Sequence, residues 1–191
     1  MMEFKNPYAY YKNQIVSATE MEVSTGFNCL MCMGPMVIKR GKVRRVHFAH
    51  KANACSINSE SALHLLGKEI VCQLTEFVIK DPRTGKFKLI GEFQSSKEEK
   101  IGGLRIDVLL KFANSKRQLA IEIAVTHKCD DNKILEFQSL NLPAIEIDLS
   151  EIDRDAYSLP EVKSAILSEL RNPNWLYNRK MTVRRGKRWD W

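Results

Sequence analysis

The first third of the chain carries a dense set of potential metal ligands. Cys29 and Cys32 are separated by two residues, a spacing at which two thiolates can reach one ion from a tight turn. The residues that follow are expected to form a hairpin turning at 40–41, which brings His50 and Cys55 back towards the two thiolates. Tetrahedral Zn²⁺ takes both sulfur and imidazole nitrogen, and a segment this short would depend on the metal for folding. The pattern therefore predicts a structural zinc site.

Two alternatives to this set of zinc ligands stay open. His47 is the alternative to His50 as the imidazole ligand, although it lies on the predicted strand, where its side chain can point elsewhere. A group of buried free thiols with two incidental histidines would produce the same residues without a metal. Cys72 and Cys129 lie outside the motif and are interpreted as ordinary cysteines.

Two acidic residues interrupt apolar strands in the middle of the chain. Asp107 lies in the predicted strand 103–112, and Glu122 lies in the predicted strand 118–126. If these strands are neighbours, the two carboxylates can lie side by side, and a divalent cation would relieve their repulsion. Mg²⁺ or Mn²⁺ held there would activate water and neutralise the charge of a phosphate. Alternatively, both acids lie on an exposed face.

The helix predicted to begin near residue 59 carries a polar stripe. Glu60, His64 and Lys68 recur every four residues and therefore share one helical face. Glu60 could join a metal shell, while His64 and Lys68 could contact a phosphate or move a proton. An ordinary solvated face stabilised by ion pairs is the simpler interpretation. After the third strand, His127, Lys128 and Lys133 add further polar groups.

Hydrophobic periodicity predicts the elements that must position these side chains. The order is α-β-β-β-α-β, and the helix between the third and fourth strands implies a mixed sheet. The near-continuous apolar character of the third strand indicates a central place in that sheet. A polar loop with a glycine pair at 102–103 separates the first two strands. The predicted elements are a helix at 59–80, strands at 86–95, 103–112, 118–126 and 144–150, and helices at 130–140 and 160–170.

Composition and charge narrow the possible functions. The chain has 191 residues, of which 44% are hydrophobic and 28% charged, which is typical of a globular protein and not of a disordered one. We expect a cytoplasmic protein without a membrane span, because no long apolar run or signal segment is visible. Six bases and no acid occur in 23–59, and seven bases and one acid occur in 171–191, whereas 60–170 carries 15 bases and 19 acids. This asymmetry predicts a polyanionic partner such as nucleic acid.

The C-terminal segment 171–191 combines its bases with four aromatic residues. Basic groups contact phosphates and aromatic rings stack on unpaired bases, so the mixture favours single-stranded or branched DNA. An equally weighted interpretation is that tryptophan anchors the segment against the body of the protein. The aromatic residues are Trp175, Tyr177, Trp189 and Trp191.

The ordered set of motifs resembles a known family. CLMC, then HFAHK with a trailing cysteine, then ES-x2-H-x3-K, is similar to the CoiA-like competence proteins over about residues 29–150. Those proteins are viewed as members of the PD-(D/E)xK nuclease superfamily with an N-terminal zinc-ribbon-like module. The resemblance implies an α/β, restriction-endonuclease-like core behind a small zinc-binding β module. The domains would be 1–58 for the module, 59–170 for the nuclease-like core and 171–191 for the basic aromatic segment.

The resemblance also implies roles for individual residues. Glu60 looks like the acid on the first helix, Asp107 like the aspartate of the PD motif, and Glu122 like the acid of the (D/E)xK motif. The implied activity is metal-assisted hydrolysis of DNA phosphodiester bonds. The position of the motif lysine, two residues after Glu122, holds Ala124. Since the superfamily is known to move this lysine, Lys133 on the following helix is the first candidate.

Lys128 and Lys68 are the next candidates for the displaced lysine. The alternative function is a catalytically inactive DNA-binding or recombination-assisting protein on the same fold, because alanine supplies neither a charge nor a hydrogen bond.

Overall fold

The structure is a computed structural model with a mixed α/β fold dominated by sheets. It describes residues 6–42, 45–51, 55, 59–81, 84–113, 115–154, 156–178, 182–183 and 189–190, and only the backbone of 59–60, 182–183 and 189–190. None of the described helices combines the length and the apolar character needed to span a bilayer.

The N-terminal part of the chain forms an antiparallel sheet of five short strands in the order β2-β1-β3-β4-β5. The rings of Phe27 and Phe48 lie 4.8 Å apart in its small core, where Met36 is also fully buried. The pairing of β4 with β5 is the expected hairpin. The strands are β1 (Tyr8–Tyr11), β2 (Gln14–Ser17), β3 (Phe27–Asn28), β4 (Pro35–Lys39) and β5 (His47–His50).

The first helix is shorter than the sequence pattern predicts. α1 covers Ser59–Gln73, and the prediction of a helix to residue 80 is wrong, because Glu76–Lys80 forms strand β6. β6 pairs antiparallel with β7 (Phe87–Gly91) as a separate two-stranded hairpin. Phe77 and Ile79 are buried while Glu76, Val78 and Lys80 are exposed, which is the alternation of a strand and not of a helix.

The first predicted strand and the polar loop after it are also corrected. The predicted strand 86–95 is divided at Glu92, whose φ is +54°, into β7 and β8 (Phe93–Ile101). Residues assigned to the loop therefore form most of a nine-residue strand that pairs with β9 along its length. β8 lies at the edge of its sheet, where charged side chains are tolerated and protect the free edge.

A five-stranded mixed sheet in the order β12-β11-β10-β9-β8 forms the centre of the larger part of the chain. β10 is the middle strand, in agreement with its apolar sequence, and it pairs parallel with β11 across the crossover helix α2. Apart from the inserted hairpin, the element order is the expected one. The remaining elements are β9 (Leu104–Phe112), β10 (Gln118–Ala124), α2 (Asp131–Ser139), β11 (Ala144–Asp148), α3 (Leu159–Arg171), β12 (Asn174–Tyr177) and the β13–β14 pair (Thr182–Val183 and Trp189–Asp190).

Helices cover both faces of this sheet. Leu66 of α1 and Ile166 of α3 belong to one apolar cluster with Ile121 and Ile145 of the sheet. Phe137 of α2 belongs to a second cluster with other residues of the same strands. The central sheet is therefore buried on both sides, and its polar residues must be satisfied from helices on opposite faces.

The C-terminal segment contributes to this sheet. β12 pairs antiparallel with β11, and Trp175 packs against the main apolar cluster. This arrangement corresponds to tryptophan anchoring and not to a free stacking platform at Trp175. Tyr177 lies on the same strand and its hydroxyl is 2.9 Å from Asn141 Oδ1. The side chains of Trp189 and Trp191 lie outside the described residues.

We expect helix α2 to be held mainly by Phe137. Phe137→Ala should lower the free energy of unfolding by about 3 to 5 kcal/mol, because a fully buried ring is replaced by a cavity. Leu135→Ala on the same helix should change it by less than about 0.5 kcal/mol, since Leu135 is 59% exposed. Urea unfolding of both variants measures the difference. Equal losses would contradict the orientation of α2.

Candidate metal and active sites

The four predicted zinc ligands converge at one end of the N-terminal sheet. Their ligand atoms all lie within 4.8 Å of one another, although Cys55 is 26 residues distant from Cys29 in sequence. Cys29 Sγ is 4.0 Å from Cys55 Sγ, and Cys32 Sγ is 3.2 Å from His50 Nε2. A tetrahedral zinc ion with bonds of about 2.3 Å to sulfur requires neighbouring sulfurs about 3.8 Å apart. The cluster could therefore hold a metal ion such as zinc.

The turn that contains the first two cysteines has the local geometry of a metal-binding knuckle. The Met31 N–H points at Cys29 Sγ and the Gly34 N–H points at Cys32 Sγ, each at 3.4 Å. The Gly34 N–H also lowers the pKa of the Cys32 thiol, which favours the thiolate that a metal binds. A Cβ at Gly34 would lie 3.1 Å from Cys32 Sγ, so glycine permits the close approach.

His47 lies outside this cluster. His47 and His50 are three residues apart on β5, so they lie on opposite faces of the strand. His47 Nδ1 is 2.8 Å from the carbonyl oxygen of Arg45, and the residue is only 8% exposed. The structure thus places His50, and not the alternative imidazole, beside the three thiols. Cys72 and Cys129 are also absent from the cluster.

Asp107 and Glu122 lie where two neighbouring strands separate. The backbone pairing of β9 with β10 ends at Val108 and Ile121, one residue before the two acids. Asp107 Oδ2 accepts a hydrogen bond from the N–H of Ile123 at 3.0 Å, so its side chain occupies the place of a backbone partner. The two predicted carboxylates are thus brought together inside the sheet, which agrees with the expected neighbouring strands.

Asp107 is held in its ionised form by groups from α1. His64 Nε2 lies 2.9 Å from Asp107 Oδ2, and Lys68 Nζ lies 3.4 Å from Asp107 Oδ1. Burial opposes ionisation, but the hydrogen bond and charge of His64, the Ile123 N–H and Lys68 together hold the Asp107 pKa well below its usual range. His64 and Lys68 of the polar helical stripe therefore both reach the acid pair.

Glu122 has the opposite electrostatic environment. It is 3% exposed, and burial together with the charge of Asp107 raises its pKa from 4.5 to about 8. Lys133 Nζ of α2 lies 2.7 Å from Glu122 Oε2 and partly offsets that rise. The other oxygen, Oε1, is buried without a hydrogen-bond partner among the described residues. Such an atom is a candidate ligand for a cation.

The structure separates the three lysines considered for the displaced motif position. Lys133 contacts Glu122, and Lys68 contacts Asp107. Lys128 Nζ instead lies 2.8 Å from Asp148 Oδ2 on a largely exposed side chain. Ala124, which occupies the motif position itself, is 3% exposed. Glu60 is in the first turn of α1, but its side chain lies outside the described residues.

Glu98 belongs to the same network and was missed by the sequence analysis. Its carboxylate pairs with Lys68 and with Arg105, and its φ is +56°. The residue was assigned to a polar loop, so no pattern linked it to Asp107. The structure places it on β8, between the register pairs Lys97–Val108 and Glu99–Ile106. A positive φ in a non-glycine residue is an unfavourable conformation that is enriched at functional sites.

Glu146 is a second buried acid that the sequence analysis did not select. It is 2% exposed and is the direct register partner of Glu122 on the parallel strand β11. Its oxygens accept hydrogen bonds from the Cys129 N–H at 2.6 Å and from Asn174 Nδ2 at 3.2 Å. The Ala-Ile-Glu-Ile tetrapeptide occurs at both 120–123 and 144–147, and this repeat was the available signal.

The two sites differ in what they can bind. Among the described side chains, the Cys₃His cluster is the group of three or more His, Cys, Asp or Glu ligands close enough to share an ion. The acid pair presents one ionised carboxylate, one unpartnered carboxylate oxygen and two nearby lysines. Mg²⁺ is commonly bound by one or two carboxylates and several waters, so this donor set fits it without a third acid.

Comparison with known proteins finds a match in the N-terminal part of the chain. Residues 10–58, about a quarter of the chain, match the family described as "Competence protein CoiA, N-terminal domain". The matched segment contains all four residues of the Cys₃His cluster. No curated protein and no solved structure matches the chain.

We expect zinc to depend on His50 and not on His47. His50→Ala should abolish stoichiometric zinc binding, because the cluster loses its nitrogen ligand. His47→Ala should retain about one zinc ion per chain, since that imidazole contacts a backbone carbonyl instead. Elemental analysis of the purified variants gives the metal content. Retention of zinc by His50→Ala together with its loss from His47→Ala would contradict the geometry.

The elevated pKa of Glu122 predicts a pH-dependent stability. A folded pKa of about 8 lies above the ordinary value of 4.5, so wild-type stability should be greatest below pH 4.5 with respect to this group and should be lost as the pH rises towards about 8. Because glutamine cannot titrate, Glu122→Gln should remove this slope in the absence of divalent cations. Urea unfolding across the pH range measures it.

Glu136→Gln on the exposed side of α2 is the matched control, because it keeps Glu122 and should keep the wild-type slope. An identical pH dependence in wild type and Glu122→Gln would show that Glu122 titrates normally.

Proposed function

We propose that this chain is a metal-dependent DNA nuclease of the PD-(D/E)xK type, with a zinc-binding N-terminal module that aids DNA binding. The observation that carries the proposal is the meeting of Asp107 and Glu122 at the separation of β9 and β10, with His64, Lys68 and Lys133 around them. The element order and the resemblance of the motifs to CoiA-like proteins support the same interpretation. The match of residues 10–58 supports it for the N-terminal part.

The acid pair is suited to holding Mg²⁺ or Mn²⁺. Asp107 would supply an ionised oxygen, and the unpartnered Oε1 of Glu122 would supply a second one. Glu60, on the first turn of α1, remains the third predicted ligand. A divalent cation held there would activate water and neutralise charge on the scissile phosphate. Because such a cation binds the ionised form, it requires Glu122 to release its proton.

The lysines provide the positive charge that Ala124 does not. Lys133 lies beside Glu122 and would approach the phosphate from the α2 side, as the displaced lysine of the motif. Lys68 is buried between Asp107 and Glu98 and would keep the Asp107 carboxylate in place. His64 is about one-third exposed, so it can both orient Asp107 and exchange a proton with solvent.

The alternative is a catalytically inactive DNA-binding or recombination-assisting protein on the same fold. It is supported by Ala124 and by the contact of each carboxylate with a lysine side chain in the structure. In this case the acid network would serve stability, and the protein would bind DNA without turnover. Magnesium dependence separates the two functions, because a binding protein needs zinc for folding but no second metal.

Cleavage assays with single-stranded, duplex and branched DNA test the proposal. Wild type should cleave with Mg²⁺ or Mn²⁺, whereas Asp107→Asn and Lys133→Gln should lose activity by at least about 100-fold. Lys128→Gln is the matched control for Lys133→Gln and should retain wild-type activity, because Lys128 pairs with Asp148 away from the acids. Zinc content and thermal unfolding of each variant establish that it is folded.

The results of these assays separate the proposed nuclease from the alternative. Cleavage that survives in Asp107→Asn would contradict the proposed site. Loss of activity in Lys128→Gln but not in Lys133→Gln would contradict the displaced lysine. Tight, salt-sensitive DNA binding by a wild type that does not cleave with either metal would favour the inactive binding protein.

A further inference from the structure

The β6–β7 hairpin is an addition to the expected core, and one of its faces is exposed and apolar. Val78 and Leu89 are paired across the two strands, as are Lys80 and Phe87, and the four side chains share one face. We call these four residues the hairpin face. Leu89 is 64% exposed, Phe87 is 49% exposed and Val78 is 36% exposed. The opposite face is anchored in the main core through Phe77 and Ile79.

This concentration of exposed apolar groups is unusual for the described part of the chain. Three of its eight exposed large hydrophobic residues lie on the hairpin face, and Phe87 is the aromatic one among the eight. Apolar patches rimmed by polar residues commonly mark interaction surfaces. The hairpin face therefore has the properties of a contact surface and not of an ordinary solvated strand.

The surroundings of the hairpin face are basic. The guanidinium of Arg171, at the end of α3, lies 4.5 Å from the centre of the Phe87 ring. Lys163 and Arg171 are eight residues apart on α3 and share its exposed side with Leu167. Lys86 is exposed next to Phe87, and Lys80 lies opposite it.

The hairpin segment 76–91 contains two acidic residues. Glu76 is exposed at the far end of β6, and Asp81 is already paired with Lys88. The rim of the apolar surface thus carries an excess of positive charge.

We propose that the hairpin face and the adjoining end of α3 bind single-stranded nucleic acid. This inference rests on the proposed function in DNA processing. Positively charged side chains beside an exposed aromatic ring are the usual means of binding unpaired strands, since cations contact phosphates and the ring stacks on a base. Phe87 supplies the ring, Leu89 and Val78 extend the apolar surface, and Lys80, Lys86 and Arg171 neutralise the backbone. Double-stranded DNA buries its base faces and cannot use the ring in this way.

Fluorescence anisotropy with a labelled oligothymidylate tests this surface, using the zinc-loaded full chain without added Mg²⁺ or Mn²⁺. Phe87→Ala should weaken binding by about tenfold, because stacking of one base is lost. Leu89→Ser should weaken it by a smaller factor. Leu135→Ser is the matched control, since Leu135 is exposed to a similar extent on α2, and its affinity should equal that of wild type.

The salt dependence tests the basic rim separately. Lys80→Gln combined with Lys86→Gln should reduce the slope of log affinity against log salt by about 1.4, because each phosphate contact with a single strand contributes about 0.7. An unchanged slope would overturn the assignment of these lysines to the backbone. Because all the substituted residues are exposed, the variants should unfold at the wild-type temperature.

The remaining outcomes separate this inference from the proposed function. Wild-type affinity in Phe87→Ala would overturn the inference alone, and so would an equal loss on blunt duplex DNA. If Phe87→Ala binds DNA normally but light scattering shows that the substitution converts a dimer to a monomer, the hairpin face is a contact between copies of the chain and the inference is overturned. A wild type that binds neither DNA form would overturn the proposed function as well.

Discussion

Buried carboxylates in the central sheet impose the main electrostatic constraint on this structure. Asp107 and Glu122 lie together where β9 and β10 separate, and two buried like charges are unfavourable without compensation. The compensation comes from both faces of the sheet, through His64 and Lys68 of α1 on one side and Lys133 of α2 on the other. Both helices therefore contribute to the compensation of these acids.

The pKa values of the two carboxyl groups shift in opposite directions. Asp107 receives a backbone N–H and contacts His64 and Lys68, so its pKa is low, whereas Glu122 is more deeply buried and has a pKa of about 8. The raised pKa of Glu122 therefore favours one negative charge on the pair over two. The divalent cation of the proposed function would replace the proton of Glu122 and relieve the repulsion.

Glu146 links the acid pair to the loop before α2 and to the start of that helix. It accepts a hydrogen bond from the Cys129 N–H, and the next residue, Asp130, caps α2 by accepting the Lys133 N–H at 2.8 Å. The position of the lysine is thus determined by an acid on β11 and a cap on the loop, while Phe137 anchors the far end of the helix. The cysteine cluster is organised in a similar way, because the N–H groups of the knuckle orient its first two sulfurs.

Local patterns in the sequence were sufficient for the elements with strong periodicity and for the metal-ligand motif. The apolar run of β10, the start of α2 at Asp130 and the Cys29-x2-Cys32 spacing each depend on neighbouring residues, and the structure agrees with them. The sequence pattern did not predict the end of α1 correctly, because an apolar residue at Phe77 fits both a helical and an alternating pattern. A strand rich in lysine and glutamate was equally ambiguous, since its pairing with β9 decides that it is a strand.

The residues themselves determined that this chain carries a Cys/His cluster, two acids in adjacent apolar strands and a basic charge asymmetry. Only the tertiary structure decided between His47 and His50, joined Glu98 and Glu146 to the acid network, and brought Lys133 rather than Lys128 to Glu122. The reason is that side-chain direction and strand register are set by packing between distant segments. Composition and spacing specify which groups are available, and long-range pairing specifies which of them meet.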